Sequence, residues 1–319
     1  MDRPRRTTSG GRGRPDTGGG TGSRKVRAGH RSLTITDPER VIFPGIGATK
    51  ADLVEYYRRI GREILPHIRE RPLVAESFPD GIDRQGVCWD APPDDLSDWI
   101  ERYPAAAGEG GRAHVVCNRT PDILYLVEHG MVTPYVSPVR ARRPGHPDRM
   151  VLDVNPQEAS DFEAVRQAAD TLRVVLQRLN LAPFPMTTGL RGIHVVVPLT
   201  GRDDFATVRR FAQAVVEMAV AEAPGRVAPT AEAGSHATTR GATVALAAAA
   251  PGQVSVAPYA VRGRSDGPVA TPFAWDDLER VEPGRHTVAN LYRHLASGVD
   301  PWREMKRFAR SLSRARRPL

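Results

Sequence analysis

The chain has 319 residues, enough for one large folded unit or two small ones with a buried core. With 26% charged and 40% apolar residues it reads as globular, and no apolar run is long enough to cross a membrane. Two lone cysteines, Cys88 and Cys117, argue against a disulfide framework or a zinc site, and the basic N-terminus lacks the apolar segment of a secretory signal. The expected compartment is the cytoplasm.

The formal charge of +8 is unevenly placed. Residues 1–29 hold eight Arg/Lys against Asp2 and Asp16, and residues 302–319 hold seven against Glu304, so each end carries +6 and the body between them −4. Such ends suit non-specific contact with a polyanion, or simply act as solubilising tails. The pI near 10 therefore says nothing of a basic groove in the body.

Residues 1–29 are rich in Gly, Arg, Ser and Thr with almost no large apolar side chain, and are expected to be disordered. Order is expected near Leu33, where LTITDPERVIF alternates before a turn at Pro44-Gly45. Thr49 and Asp52 have capping-box spacing, and Leu53, Tyr56, Tyr57, Ile60, Ile64 and Leu65 follow at helical intervals. Residues 138–148 read as a loop, and 149–154 as a strand. A second helix is predicted from Ser160 through Leu179, a strand at 193–198, and a third helix over about 203–222. Residues 225–241 read as a loop, with strands at 243–249 and 254–257. The last eighteen residues form a basic helix around Met305, Phe308 and Leu312, or fray. Strands alternating with helices give an α/β or α+β fold class.

Four segments stand out, in order: TDPERVIFPGIGATKADLVEYY from Thr36, RPLVAESFPDGIDRQG from Arg71, VLDVNP at 151–156 followed by TTGLRGIHVVVPL at 187–199, and VSVAPYAVRGR at 254–264 closed by DPW at 300–302. Together they resemble the polymerase domain of bacterial DNA ligase D, of the archaeo-eukaryotic primase superfamily. The resemblance implies one domain over 30–302 with the primase-polymerase fold, mixed or antiparallel sheets flanked by helices, between basic tails 1–29 and 303–319. It also implies metal-dependent nucleotidyl transfer in non-homologous end joining.

That chemistry uses two divalent ions, Mg or Mn, held by converging carboxylates. A D-x-D on a strand presents both acids on one face, and a third comes from a neighbouring strand. The resemblance puts Asp153 at the first position, Asn155 at the second and Ala245 at the third, and residues 233–265 contain no Asp or Glu at all. Thr188, Gly189, Arg191, Gly192 and His194 match a hairpin that receives the incoming nucleoside triphosphate, with Asp153 and His194 the expected catalytic pair. Tyr135 stands where a second histidine is usual, and Glu76-Ser77 where the family is basic. Arg40 and Lys50 match residues that grip a DNA 5′-phosphate, and Lys50 opens a helix, which also favours a phosphate. Asp37 replaces a polar partner there.

The resulting expectation is a DNA-end or nucleotide binder, nucleoid-associated, with weak or lost polymerase activity. A separately encoded ligase or a Ku-like protein is a possible partner. One alternative is a working polymerase whose metals recruit Glu128, Asp148 or Glu158. Another is a nucleotide-sensing or interaction protein on the same fold.

Overall fold

The computed structural model describes residues 22–89, 96–104, 113–157, 162–229, 241–298 and 300–315. In chain order the elements are β1 (Ser23–Ala28), β2 (Arg31–Thr36), β3 (Val41–Phe43), β4 (Ala48–Thr49), α1 (Lys50–Arg59), α2 (Gly61–Ile68), β5 (Leu73–Ser77), β6 (Val87–Trp89), β7 (Glu101–Tyr103) and β8 (His114–Val116). There follow α3 (Thr120–Glu128), β9 (Met131–Val136), β10 (Arg149–Pro156), α4 (Phe162–Arg178), β11 (Phe184–Thr187), β12 (Ile193–Pro198), α5 (Phe205–Glu222), β13 (Val227–Pro229), β14 (Ala242–Ala247) and β15 (Ser255–Val256). A 3-10 turn at Trp275–Arg280, α6 (Leu291–Ser297), a 3-10 turn at Met305–Phe308 and α7 (Leu312–Ala315) complete the series. Among the described residues no helix is long and apolar enough to cross a membrane.

Two sheets organise the molecule. The first runs β15-β9-β5-β8-β7, with β6 also on β5; the second runs β11-β12-β10-β14-β13, antiparallel except for β13 beside β14. The strand period of two divides β10 between two cores. Met150, Leu152 and Val154 point into one core with α4 and α5, while Val151 joins the other with the first sheet and α1 to α3. Arg149, Asp153 and Asn155 share the parity of Val151, so the polar residues of β10 are turned toward the first sheet.

The capping box forms as predicted: Thr49 accepts from Asp52 N, and Asp52 accepts from Thr49 N at 2.8 Å. The helix that follows is two helices, because the chain breaks at Ile60 before Gly61, a poor helix former. The predicted strands at 193–198 and 149–154 are β12 and the first part of β10; those at 243–249 and 254–257 are the shorter β14 and β15.

The tails differ from expectation where they are described. Residues 23–28 are strand rather than disordered, paired with β2 from Ser23↔Thr36 to Ala28↔Arg31. The partner strand satisfies the backbone, and Ala28 and Val26 reach the core, so few apolar residues suffice. Residues 1–21 lie outside the described residues, as do 316–319. Residues 303–315 are not a fraying end either. Met305 inserts into the first core and Leu312 into the second. Arg310 pairs with the end of β12 through Pro198 O and Thr200 N, and Asp203 Oδ2 accepts from Leu312 N at 3.1 Å. This segment is a strap across both layers.

Candidate functional site

Asp153 lies on the central strand of the second sheet. Its partners across β10 are His194 on β12 and Ala245 on β14, so these three residues stand in one row on one face. His194 is buried, and its Nε2 approaches Asp153 Oδ1 at 3.3 Å. That contact is an ion-pair distance without hydrogen-bond geometry, and Oδ1 has no hydrogen-bond donor. Burial pushes the Asp153 carboxyl up, but His194, the Asn155 amide and Arg262 outweigh it and hold it below its ordinary value. Asn155, two residues on, packs against Gly192, where a Cβ would fall 2.4 Å from Asn155 Oδ1.

These donors do not fit a pair of divalent ions. Asp153 is the one acid of the row; Ala245 offers a methyl group and Asn155 a neutral amide. Among the described residues no cluster of three or more His, Cys, Asp or Glu could hold a metal. Two acids that could have been recruited are engaged elsewhere: Glu128 with Lys50, and Asp148 with Arg71 and Arg140. Glu158 lies outside the described residues.

The hairpin between β11 and β12 is shaped by its small residues. Thr188 Oγ1 accepts from Leu190 N and Gly192 N, closing the turn. Gly189 has φ +74°, and a Cβ there would meet Arg262 Cγ at 2.7 Å and Ala270 N at 2.9 Å. Arg191 is exposed at the tip. The residue that ties this hairpin to the first sheet is Arg262, which sequence reasoning passed over although it lies in the VSVAPYAVRGR segment. Its guanidinium donates to Thr188 O at 3.3 Å and to Tyr135 Oη at 3.1 Å, and Tyr135 donates to Glu76 Oε2 at 3.1 Å. Burial, above all, pushes the Tyr135 phenol up to about 12. Tyr135 and Glu76, expected only as departures from a pattern, thus form one chain with Arg262.

Arg40 and Lys50 come together in a cleft of about 420 Å³, lined also by Ser77, Phe78, Glu128 and His129. Arg40 is exposed. Lys50 Nζ is 2.9 Å from Glu128 Oε2 and donates to Thr36 Oγ1 at 3.4 Å. Glu128 also accepts from Thr36 N at 3.2 Å and from Thr36 Oγ1 at 2.5 Å. A carboxylate therefore sits on a backbone N–H, a hydroxyl and an ammonium, a donor set equally suited to a phosphate.

Comparison with known proteins agrees with this architecture. The family model for the LigD primase-polymerase domain matches residues 49–302. The multifunctional non-homologous end joining protein LigD of Mycolicibacterium smegmatis is 24% identical over 255 residues, 78% of this chain and 33% of that protein. The LigD protein of Pseudomonas aeruginosa is 28% identical over 304 residues, 93% of this chain and 36% of that protein. The chain thus spans about a third of the length of these relatives. The polymerase domain of Mycobacterium tuberculosis ligase D, solved in complex with DNA, superposes with a TM-score of 0.80 at 22% identity, covering 87% of this chain and 99% of that one. The mixed α/β layers are the same fold, and the chain belongs to the LigD primase-polymerase domain family.

Proposed function

We propose that this protein binds 5′-phosphorylated DNA ends in non-homologous end joining, with nucleotidyl transfer weak or lost. The observation that carries this reading is the row Ala245–Asp153–His194, in which a methyl group stands where the second sheet could have presented a second acid. The family chemistry is metal-dependent, and Mg or Mn when bound would neutralise charge on the transferring phosphate. Asp153, the Asn155 amide and His194 supply one formal negative charge for that purpose. Binding functions need less. Arg262, Arg191, Thr188 and Gly189 still frame a hairpin that can receive the phosphates of a nucleoside triphosphate. Arg40 and Lys50 still share a cleft that can receive a 5′-phosphate. A ligase or a Ku-like end-binding protein is the kind of partner this role calls for, and its place would be the nucleoid.

Two assays test the reading. Gapped duplexes differing only in a 5′-phosphate or 5′-hydroxyl should bind with different affinity, and Lys50→Ala and Arg40→Ala should remove the difference. Primer extension with Mn²⁺ and nucleotides should be absent or barely detectable in the wild type. Robust extension that vanishes in Asp153→Ala would overturn the loss of activity, and indifference to the 5′-phosphate would overturn the end-binding role.

A further inference from the structure

A second group of charges lies at the other end of β10. Arg149 opens that strand on the same face as Asp153, about 13 Å away at the usual strand rise. Around it gather Arg71 from the turn after α2 and Arg140 and Asp148 from the loop before β10, and Lys306 lies on the C-terminal strap that packs on β12, the strand paired with β10. Arg71 is 1% exposed and Arg149 5%. Asp148 takes Arg71 at 2.5 Å and Arg140 at 2.8 Å, and its Oδ1 is 3.9 Å from Arg149 Nε. Glu70 reaches Arg140 at 3.5 Å, but half of its side chain is in solvent. Four cations therefore share one carboxylate that is itself only partly buried, with Glu70 at the edge.

The remaining contacts of the buried guanidiniums are to neutral groups. Arg71 donates to the carbonyls of His67, Ser137 and Val139, and Arg149 Nη2 to that of His67. Arg149 Nε has no hydrogen-bond partner, and neither has Nε2 of the buried His67 beside it. Burial above all holds Arg71, Arg149 and Lys306 below their ordinary values, with neighbouring cations adding to it and Asp148 opposing it. Carbonyls orient a cation without neutralising it, and buried charges that outnumber their counter-charge are costly. An anion would relieve that cost. Guanidiniums match the edge of a tetrahedral oxyanion, and the ammonium adds a point charge. Lys306 is exposed and Arg140 is about one-fifth exposed, so a ligand can approach from their side.

We propose that Arg140, Arg149 and Lys306, backed by Arg71, bind a phosphate-class oxyanion at this end of β10, a site separate from the cleft at Lys50. Inorganic phosphate and the phosphodiester of a nucleic-acid strand offer the same chemistry.

The test is a thermal-shift and calorimetric titration of the full chain with sodium phosphate, against sodium chloride at matched ionic strength. Wild type, Lys306→Gln, Arg140→Gln and Lys50→Gln are compared. Phosphate should stabilise the wild type saturably, and loss of one charge-assisted contact should weaken it roughly tenfold in Lys306→Gln and Arg140→Gln. Lys50→Gln weakens the separate cleft and should keep the saturable component that Lys306→Gln and Arg140→Gln lose. Lys306 is exposed, so its variant remains informative if Arg140→Gln folds poorly. A 5′-hydroxyl single-stranded oligonucleotide forms the second arm. Competition with phosphate in the wild type but not in Lys306→Gln supports the site with a phosphodiester as its source, and a response to inorganic phosphate alone supports it with a free anion. Unaltered titration of Lys306→Gln, a response lost only in Lys50→Gln, or no saturable effect beyond chloride overturns the proposal.

Discussion

Replacing Glu128 by Gln isolates what that carboxylate does to the cleft at Lys50. The amide keeps the size of the side chain and an acceptor for Thr36, while removing one negative charge from a side chain only 15% exposed. Two unit charges 4 Å apart interact by about 4 kcal/mol at an effective dielectric near 20. A phosphate seated on Lys50 and Thr36 is repelled by Glu128 on that scale, less what solvent and salt screen, and it competes with Glu128 for the ammonium. We expect Glu128→Gln to strengthen binding of a 5′-phosphorylated recessed end by about 1–2 kcal/mol, close to tenfold in affinity. Fluorescence anisotropy of matched duplexes with 5′-phosphate and 5′-hydroxyl reads this directly, with a melting curve to establish that the variant is folded. The hydroxyl end should hardly respond. Equal tightening of both ends, or of neither, would refute the idea that Glu128 occupies a phosphate seat.

Asn155→Asp combined with Ala245→Asp should bring three carboxylates onto one face and create Mn²⁺ binding, measurable by calorimetry, that either single change lacks. Thr49→Ala removes the cap of α1 and should cost about 1 kcal/mol in urea denaturation. Trp302→Ala, at a side chain 1% exposed whose indole donates to Pro185 O, should cost about 3–5 kcal/mol. Burial pushes Asp148 up, but Arg71, Arg149 and Arg140 hold it at about 2, against 3.8 for a free side chain. Its depressed value makes the contribution full above pH 3.8 and lost as pH falls toward 2, on the order of 2 kcal/mol in all. Asp148→Asn should flatten that part of the acid-denaturation curve, and an unchanged slope would show that the pairing contributes nothing.

The row around Asp153 was legible through the family resemblance, which pointed to Asp153, Asn155 and Ala245, while strand periodicity accounts for Asp153 and Asn155 sharing a face. Arg40 and Lys50 were legible as a pair through the same resemblance, with the helix start at Lys50 adding a physical reason. What occupies their cleft was not, since Glu128 comes from a helix 92 residues beyond Thr36. Arg262 escaped for the same reason: its partners Thr188 and Tyr135 are 74 and 127 residues away, and no local pattern announces a cation shared between two sheets. The strand Ser23–Ala28 was hidden by composition. Its polar, basic face looks like a tail, and only pairing with Arg31–Thr36 makes it structure. The first sheet drew little notice because β6, β7 and β8 span three residues each and β9 contains Pro134.

The register that sets Ala245 opposite Asp153 also has a genetic meaning. Asn to Asp requires one base change in any codon, and Ala to Asp requires one wherever the third base is a pyrimidine. The strand pairing that would position the added acids is already in place, so the distance to a three-acid row is counted in point mutations rather than in rebuilt structure. A library selected for gap filling could cross that distance in the laboratory, and the residues it changes first would reveal what else such chemistry needs from the site.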